Sequence, residues 1–292
     1  MQSRVSKLGL SAAQFRFEGS VGARGRSPTD QAMEILTVAQ RAGVDLLDAA
    51  VAYPGGETVL GEALRLPNSF SLMIKTARAD RGPDFIEAEA RASLKRLGAV
   101  RGHAIVVQSA GDLFGPHGPA LWDKLQDLKE QGLFEKIGVA ALVSDDPTGV
   151  ARRFKPDIIQ APVSLLDQRL IVSGALAEIA GLGIEVHLRS IFLQGLLFLP
   201  PDRMPLALRG SAGPLSRVRR LIAEGRSDPL QAALWFALSR PEAHHVIVGV
   251  ASAAELQAVI AAAASAPPDL DWDEMALEHP EALIGGDNGW AA

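Results

Sequence analysis

The chain has 292 residues, of which 48% are hydrophobic and 22% charged, a composition that builds a large apolar core and excludes disordered and fibrous classes. It has no cysteine, which excludes disulfides, thiolate catalysis and cysteine-ligated metals. With a net charge of −5, and with its densest basic cluster (Arg217, Arg219, Arg220) closing on Glu224, it offers no footprint for nucleic acid.

Taken in chain order, short apolar, β-rich runs predict strands at Leu8–Phe15, Val44–Ala50, Ser71–Ala77, His103–Ser109, Lys136–Ala141, Asp157–Val163, Glu185–Ile191 and His245–Val250. Between them, helical spacing marks Asp30–Ala42, Asp84–Leu97, Pro119–Gln131 and Ser173–Leu182. Gly43, Gly98, Gly132 and Gly183 stand at or just beyond these helix ends, where a left-handed residue is wanted. Eight strand–helix units without a break in composition predict an α/β fold, a (β/α)8 TIM barrel, and no Gly-x-Gly-x-x-Gly follows any strand as a doubly wound sheet would want. Barrels of this kind reach about 250 residues as one domain, so residues 1–292 are expected to form one barrel with a C-terminal tail over 267–292. The stretch Gln194–Pro214, with Pro200, Pro201, Pro205 and Gly210, reads as an irregular loop over the barrel mouth, a lid for cofactor or substrate. The tail, with Trp272 and Trp290, is expected to pack across the outside or one rim.

Polar residues that end apolar runs point into the mouth of such a barrel. Asp48 closes Val44-Asp-Leu-Leu-Asp, Lys75 nearly closes Leu72-Met-Ile-Lys-Thr, and Tyr53, the sole tyrosine, follows the second strand. An ammonium beside a phenol stabilises its phenolate and a carboxylate can anchor the ammonium, so the trio can act as a general acid. The spacing is equally compatible with a structural Asp48–Lys75 ion pair and an unrelated loop tyrosine.

Several segments, in order along nearly the whole chain, resemble those of the aldo-keto reductase superfamily in a divergent bacterial form. They are Gly43-Val-Asp-Leu-Leu-Asp-Ala-Ala, Ala52-Tyr-Pro-Gly-Gly-Glu-Thr-Val-Leu-Gly, Ile74-Lys-Thr, Ser93-Leu-Lys-Arg-Leu-Gly, Leu128-Lys-Glu-Gln-Gly, Lys136-Ile-Gly-Val, Ile159-Gln-Ala-Pro, Arg189-Ser-Ile-Phe-Leu-Gln-Gly-Leu-Leu and Val246-Ile-Val-Gly-Val. The resemblance implies reduction of an aldehyde or ketone by hydride from NAD(P)H, with Tyr53 as proton donor, Lys75 tuning it and Asp48 fixing Lys75. It implies that Gln108 takes the place of a catalytic histidine: its amide can donate to a carbonyl oxygen but cannot relay a proton.

By the same resemblance, the cofactor contacts fall on Gln160, Arg189, Ser190, Phe192, Gln194, Gly249, Ser252 and Glu255. Gln160 corresponds to a nicotinamide-contacting glutamine, and Arg189 stands where an aromatic ring often stacks on the nicotinamide, a role a planar guanidinium can imitate. Ala140-Ala141 replaces a polar pair that holds the carboxamide, and the first strand runs into bulky Gln14-Phe-Arg-Phe rather than a glycine-rich turn. Ser252 and Glu255 replace the basic residues that bind a 2′-phosphate, which favours NAD over NADP unless Glu255 only stabilises its own helix.

His187 alternates with Glu185 and Arg189 and is expected inside the barrel as a hydrogen-bonded core histidine. His117 is expected on a solvated loop, and His244-His245 ahead of the last strand, far from the site and with no metal partner. No segment reaches the roughly 18 apolar residues of a membrane span, and Met1–Leu10 lacks a signal-peptide core, so no membrane and a cytoplasmic setting are expected. The expected partner is a small carbonyl substrate, and the rim loops carry no legible preference for one. The competing reading is a barrel that has lost turnover and serves as a binding or regulatory module, favoured by Gln108, Ala140-Ala141 and Glu255.

Overall fold

The computed structural model describes residues 4–14, 27–50, 56–64, 69–199, 203 and 206–280. Among them, eight parallel strands close into a barrel in sequence order: β1 Leu8–Ser11, β2 Leu46–Ala50, β3 Ser71–Lys75, β4 Gly102–Val107, β5 Phe134–Ala140, β6 Ile158–Pro162, β7 Glu185–Arg189 and β8 Ala243–Gly249. The helices, in chain order, are α1 Pro28–Ala42, α2 Gly56–Ala63, α3 Pro83–Leu97, α4 Gly111–Phe114, α5 Gly118–Glu130 and α6 Pro147–Phe154. They continue with α7 Arg169–Val172, α8 Ala175–Gly181, α9 Ala212–Glu224, α10 Pro229–Leu238 and α11 Ala253–Ala264. This is the (β/α)8 architecture expected from the alternation of runs.

Local chemistry explains the boundaries. Ser27 caps α1 by accepting the Asp30 N–H at 3.1 Å, and Pro28 fills a first-turn position whose N–H has no helical partner. Gly43 ends that helix at φ 78°, and Gly98, Gly132 and Gly183 are likewise left-handed at φ 68°, 74° and 79°. The N–H of Val44 returns to the Ala39 carbonyl at 2.9 Å, closing the helix end, so β2 begins at Leu46 rather than Val44. β1 also stops short of its expected end. The Ser11 hydroxyl accepts the Ala13 N–H at 3.3 Å and the chain turns into a 3₁₀ segment at Ala12–Gln14; Phe15 lies outside the described residues. The predicted lid differs more. Leu193–Phe198 and Leu206–Ser211 are 3₁₀ turns and α9 begins at Ala212, because Leu193, Leu196, Leu197 and Leu208 are buried, while Pro214 sits in a first turn that tolerates it.

Two apolar layers result. The larger lies between the strands and the helix ring; the smaller, inside the barrel, comprises Leu46, Met73, Ala104, Val106, Ala140, Ile158 and Ile247. Side chains alternate across a strand, so the residues two places further on (Asp48, Lys75, Gln108, Gln160 and Gly249) share the inward face one step nearer the mouth. The described part of the tail packs outside, with the Leu277 N–H on the Leu166 carbonyl at 3.0 Å, the Gln168 amide on the Trp272 carbonyl at 2.6 Å, and the Trp272 ring 5.8 Å from that of Phe236. No helix among the described residues is long and apolar enough to cross a membrane.

Candidate active site

The strand ends assemble the mouth. Lys75, last residue of β3, reaches back to Asp48 on β2, with Nζ 2.5 Å from Oδ2; the carboxylate is 2% exposed and the ammonium side chain 14%. Gln160, fully buried on β6, donates from Nε2 to the same oxygen at 3.3 Å and toward the Met73 sulfur at 3.6 Å. Charge and dipole therefore converge on one oxygen, while Asp48 Oδ1 and Gln160 Oε1 are buried with no hydrogen-bond partner. Asp48 and Lys75 are thus brought together as expected. Tyr53 lies outside the described residues.

Gln108 is the first residue beyond β4. Its backbone N–H donates to Thr76 Oγ1 at 3.1 Å, and its own Oε1 is buried without a partner. Thr76, 4% exposed, was not singled out in the sequence; the adjoining Ile-Lys-Thr run was its one signal. Arg78 and Asp112, paired at 3.1 Å, tie the loop after β3 to α4 beside Gln108.

Arg189 ends β7 and extends over the end of β6, with Nη2 3.4 Å from the Ala141 carbonyl and Nη1 3.4 Å from Ser190 Oγ. Its Nε is buried without a partner. Burial pulls its pKa below the usual guanidinium value, against the attraction of Asp48 and Asp145. The turn that follows is strained, since Ser190 and Leu193 hold φ 59° and 44° without being glycine. Phe192 packs on Phe198 with ring centroids 5.6 Å apart. From α9, Arg219 donates to the carbonyls of Leu196, Leu197 and Leu199 at 3.0, 3.2 and 2.6 Å, gathering the unpaired end of the 3₁₀ turn. The Gln194 side chain falls outside the described set.

At the last strand end, Gly249 pairs with Ser11 and Ser252 caps α11, accepting the Glu255 N–H at 3.2 Å. The Glu255 carboxylate in turn accepts the Ala251 N–H at 2.8 Å. Glu255 therefore braces its own helix start, with its carboxylate kept at that end of α11.

Two histidine expectations need correction. His187 does face the barrel interior and is fully buried, but its ring nitrogens have no hydrogen bond; Glu185 Oε2 lies 3.7 Å from Nε2, and the ring packs edge-on against His245 at 4.9 Å. His244 and His245 lie within β8 rather than ahead of it, because register pairs His245 with His187, and His244 Nδ1 accepts the Val186 N–H at 3.2 Å. His117 is exposed, as expected. No cluster able to hold a metal exists among the described residues.

An acid–ammonium pair thus lies inside the mouth of a closed parallel barrel, at the C-terminal ends of its strands. The sequence model of the Aldo/keto reductase family matches residues 14–276, and the chain belongs to that family. It is 27% identical over 303 residues to L-galactose dehydrogenase of Arabidopsis thaliana, covering 96% of this chain and 91% of the relative. It is also 27% identical over 217 residues to the NADH-specific methylglyoxal reductase of Escherichia coli, covering 66% and 65%. Among solved structures, the holo form of an aldo-keto reductase from Bacillus halodurans superposes with a TM-score of 0.73 at 20% identity, covering 96% of this chain and 92% of that one.

Proposed function

We propose that this oxidoreductase reduces an aldehyde or ketone to an alcohol with NAD(P)H, NADH being the better donor. The observation that carries the reading is the Lys75–Asp48 contact at 2.5 Å, further braced by Gln160. A carboxylate held this way fixes the ammonium at the mouth, where its charge lowers the cost of a neighbouring phenolate. Tyr53, by the family resemblance, supplies that phenol and protonates the alkoxide as it forms. Gln108 donates a hydrogen bond to the carbonyl oxygen through its amide, polarising the bond without moving a proton.

The donor set fits a nicotinamide nucleotide. Gln160 Oε1 is a buried acceptor without a partner, as a carboxamide N–H would require, and Arg189 offers a planar cation at the rim beside Ser190 and Phe192. Gly249, Ser252 and Glu255 border the position taken by the adenosine end in the family. When bound, such a nucleotide supplies the hydride. The methylglyoxal reductase relative is named as NADH-specific, which supports the same preference here.

The test has two readouts. NADH should quench the tryptophan fluorescence of the protein, and Tyr53→Phe should lower carbonyl turnover by about 10²-fold or more with NADH affinity almost unchanged. A Tyr53→Phe variant turning over normally would remove Tyr53 as the acid. Failure of wild type to bind either nucleotide would instead favour the non-catalytic module that Gln108 and Ala140-Ala141 also suit.

A further inference from the structure

Among the described residues, the cations named at the mouth each meet a carboxylate, with one exception. Asp48 is occupied by Lys75 at 2.5 Å, and Arg78 by Asp112 at 3.1 Å. Arg189 makes no ion pair among the described residues: its two hydrogen bonds are both 3.4 Å long, to neutral oxygens, and its Nε has no partner. Asp145, one of its two attractive neighbours, is committed to the Leu142 N–H at 2.8 Å. A partly buried guanidinium normally has a carboxylate or phosphate in its fork, because desolvating it otherwise is costly. The strained turn at Ser190 directly follows this side chain, and β5, whose far end it reaches, closes on Ala140, a small residue on the inward face.

We propose that Arg189 is a specificity residue for an anionic substrate, in which a carboxylate next to the reduced carbonyl, as in a 2-oxo acid, docks in the guanidinium fork. The proposal rests on the reductase reading. Hydride from the reduced nicotinamide goes to the carbonyl carbon and the Tyr53 proton to its oxygen, giving a 2-hydroxy acid and the oxidised nucleotide; the carboxylate itself is unchanged. A guanidinium presents a flat face and an edge of donors at once, so an edge contact to substrate is compatible with a face turned to the cofactor.

Calorimetric titration with oxamate, a carboxylate-bearing mimic, and oxamide, its neutral counterpart, tests this in the presence and absence of NADH. Wild type should bind oxamate at least about tenfold more tightly than oxamide. Arg189→Gln should erase that difference, and Arg189→Lys should keep part of it, since a point charge replaces the fork. In turnover, Arg189→Gln should lower kcat/KM for pyruvate by about 10–100-fold relative to methylglyoxal. Equal affinity of wild type for the two mimics would overturn the proposal, as would an Arg189→Gln variant that loses NADH affinity while still preferring oxamate, because the cation would then serve the nucleotide phosphates. The mimics are read by binding alone, so absence of NADH oxidation would count against the reductase reading and leave this result standing separately.

Discussion

On the proposed docking of the nucleotide, a carboxylate at position 255 would compete with an incoming phosphate for the same backbone donors. Glu255 already holds the Ala251 N–H at 2.8 Å, and Ser252 is spent on the Glu255 N–H, so a 2′-phosphate would meet a negative charge and occupied donors. Glu255→Arg should therefore shift the ratio of NADPH to NADH dissociation constants toward NADPH by about tenfold or more, at a capping cost of about 0.5–1 kcal/mol in stability. An unchanged ratio, measured by fluorescence titration, would show that this helix start does not meet the 2′ position. At this scale the sequence was legible where a polar residue broke an apolar run, as at Asp48 and Lys75, whereas Gln108 and Arg189 were reached only through the family resemblance. It was not legible for Thr76 or Met73, because the partners they meet are chosen by strand register and not by spacing along the chain.

Between elements, two of the family-like sequence segments prove to be halves of one joint. Glu57 of α2, 6% exposed, accepts a hydrogen bond from the Ser93 hydroxyl and another from Arg96 Nε at 2.7 Å, both from α3. Gly61 lets the helices meet there: a Cβ at this position would stand 1.9 Å from the Arg96 carbonyl oxygen and 2.9 Å from its carbon. Backbone cannot rotate away as a side chain can. Gly61→Ala should thus destabilise the protein by about 1–3 kcal/mol despite the roughly 1 kcal/mol gain in helix propensity, lowering the midpoint of thermal or urea unfolding. A melting temperature at or above that of wild type would show that α2 can shift outward without loss. Alternating apolar runs placed all eight strands, since period and length are local properties. Strand ends at β1 and β2 escaped because single hydrogen bonds, from Ala13 to Ser11 and from Val44 to Ala39, decided them.

Across the whole molecule, the barrel interior is apolar in the middle and titratable toward its floor. His187 and His245 meet edge-on there, near Glu185, His103 and His244, with Lys136 closing on Glu185 at 2.7 Å. Burial, then repulsion from His187, pushes His245 down to about 4, and burial likewise lowers His187. A folded-state value below the unfolded one means the unfolded chain takes up protons first. Stability is complete above about pH 6.5 and falls as the pH drops toward 4, by on the order of 3 kcal/mol from His245 alone. Urea midpoints measured from pH 7.5 to 4.5 should show that decline, and His245→Gln should flatten it; an equal slope in the variant would assign the acid sensitivity elsewhere.

Arg219 grips the loop over the mouth by three main-chain carbonyls and by none of its side chains. Anchorage and recognition are thereby separated: substitutions at the exposed apolar position of that turn, Phe198, alter what the loop touches without untying it from α9. Such a division makes the loop a place where new selectivities can be sampled by mutation, or by a library restricted to Phe192 and Phe198, while one arginine of α9 preserves its path.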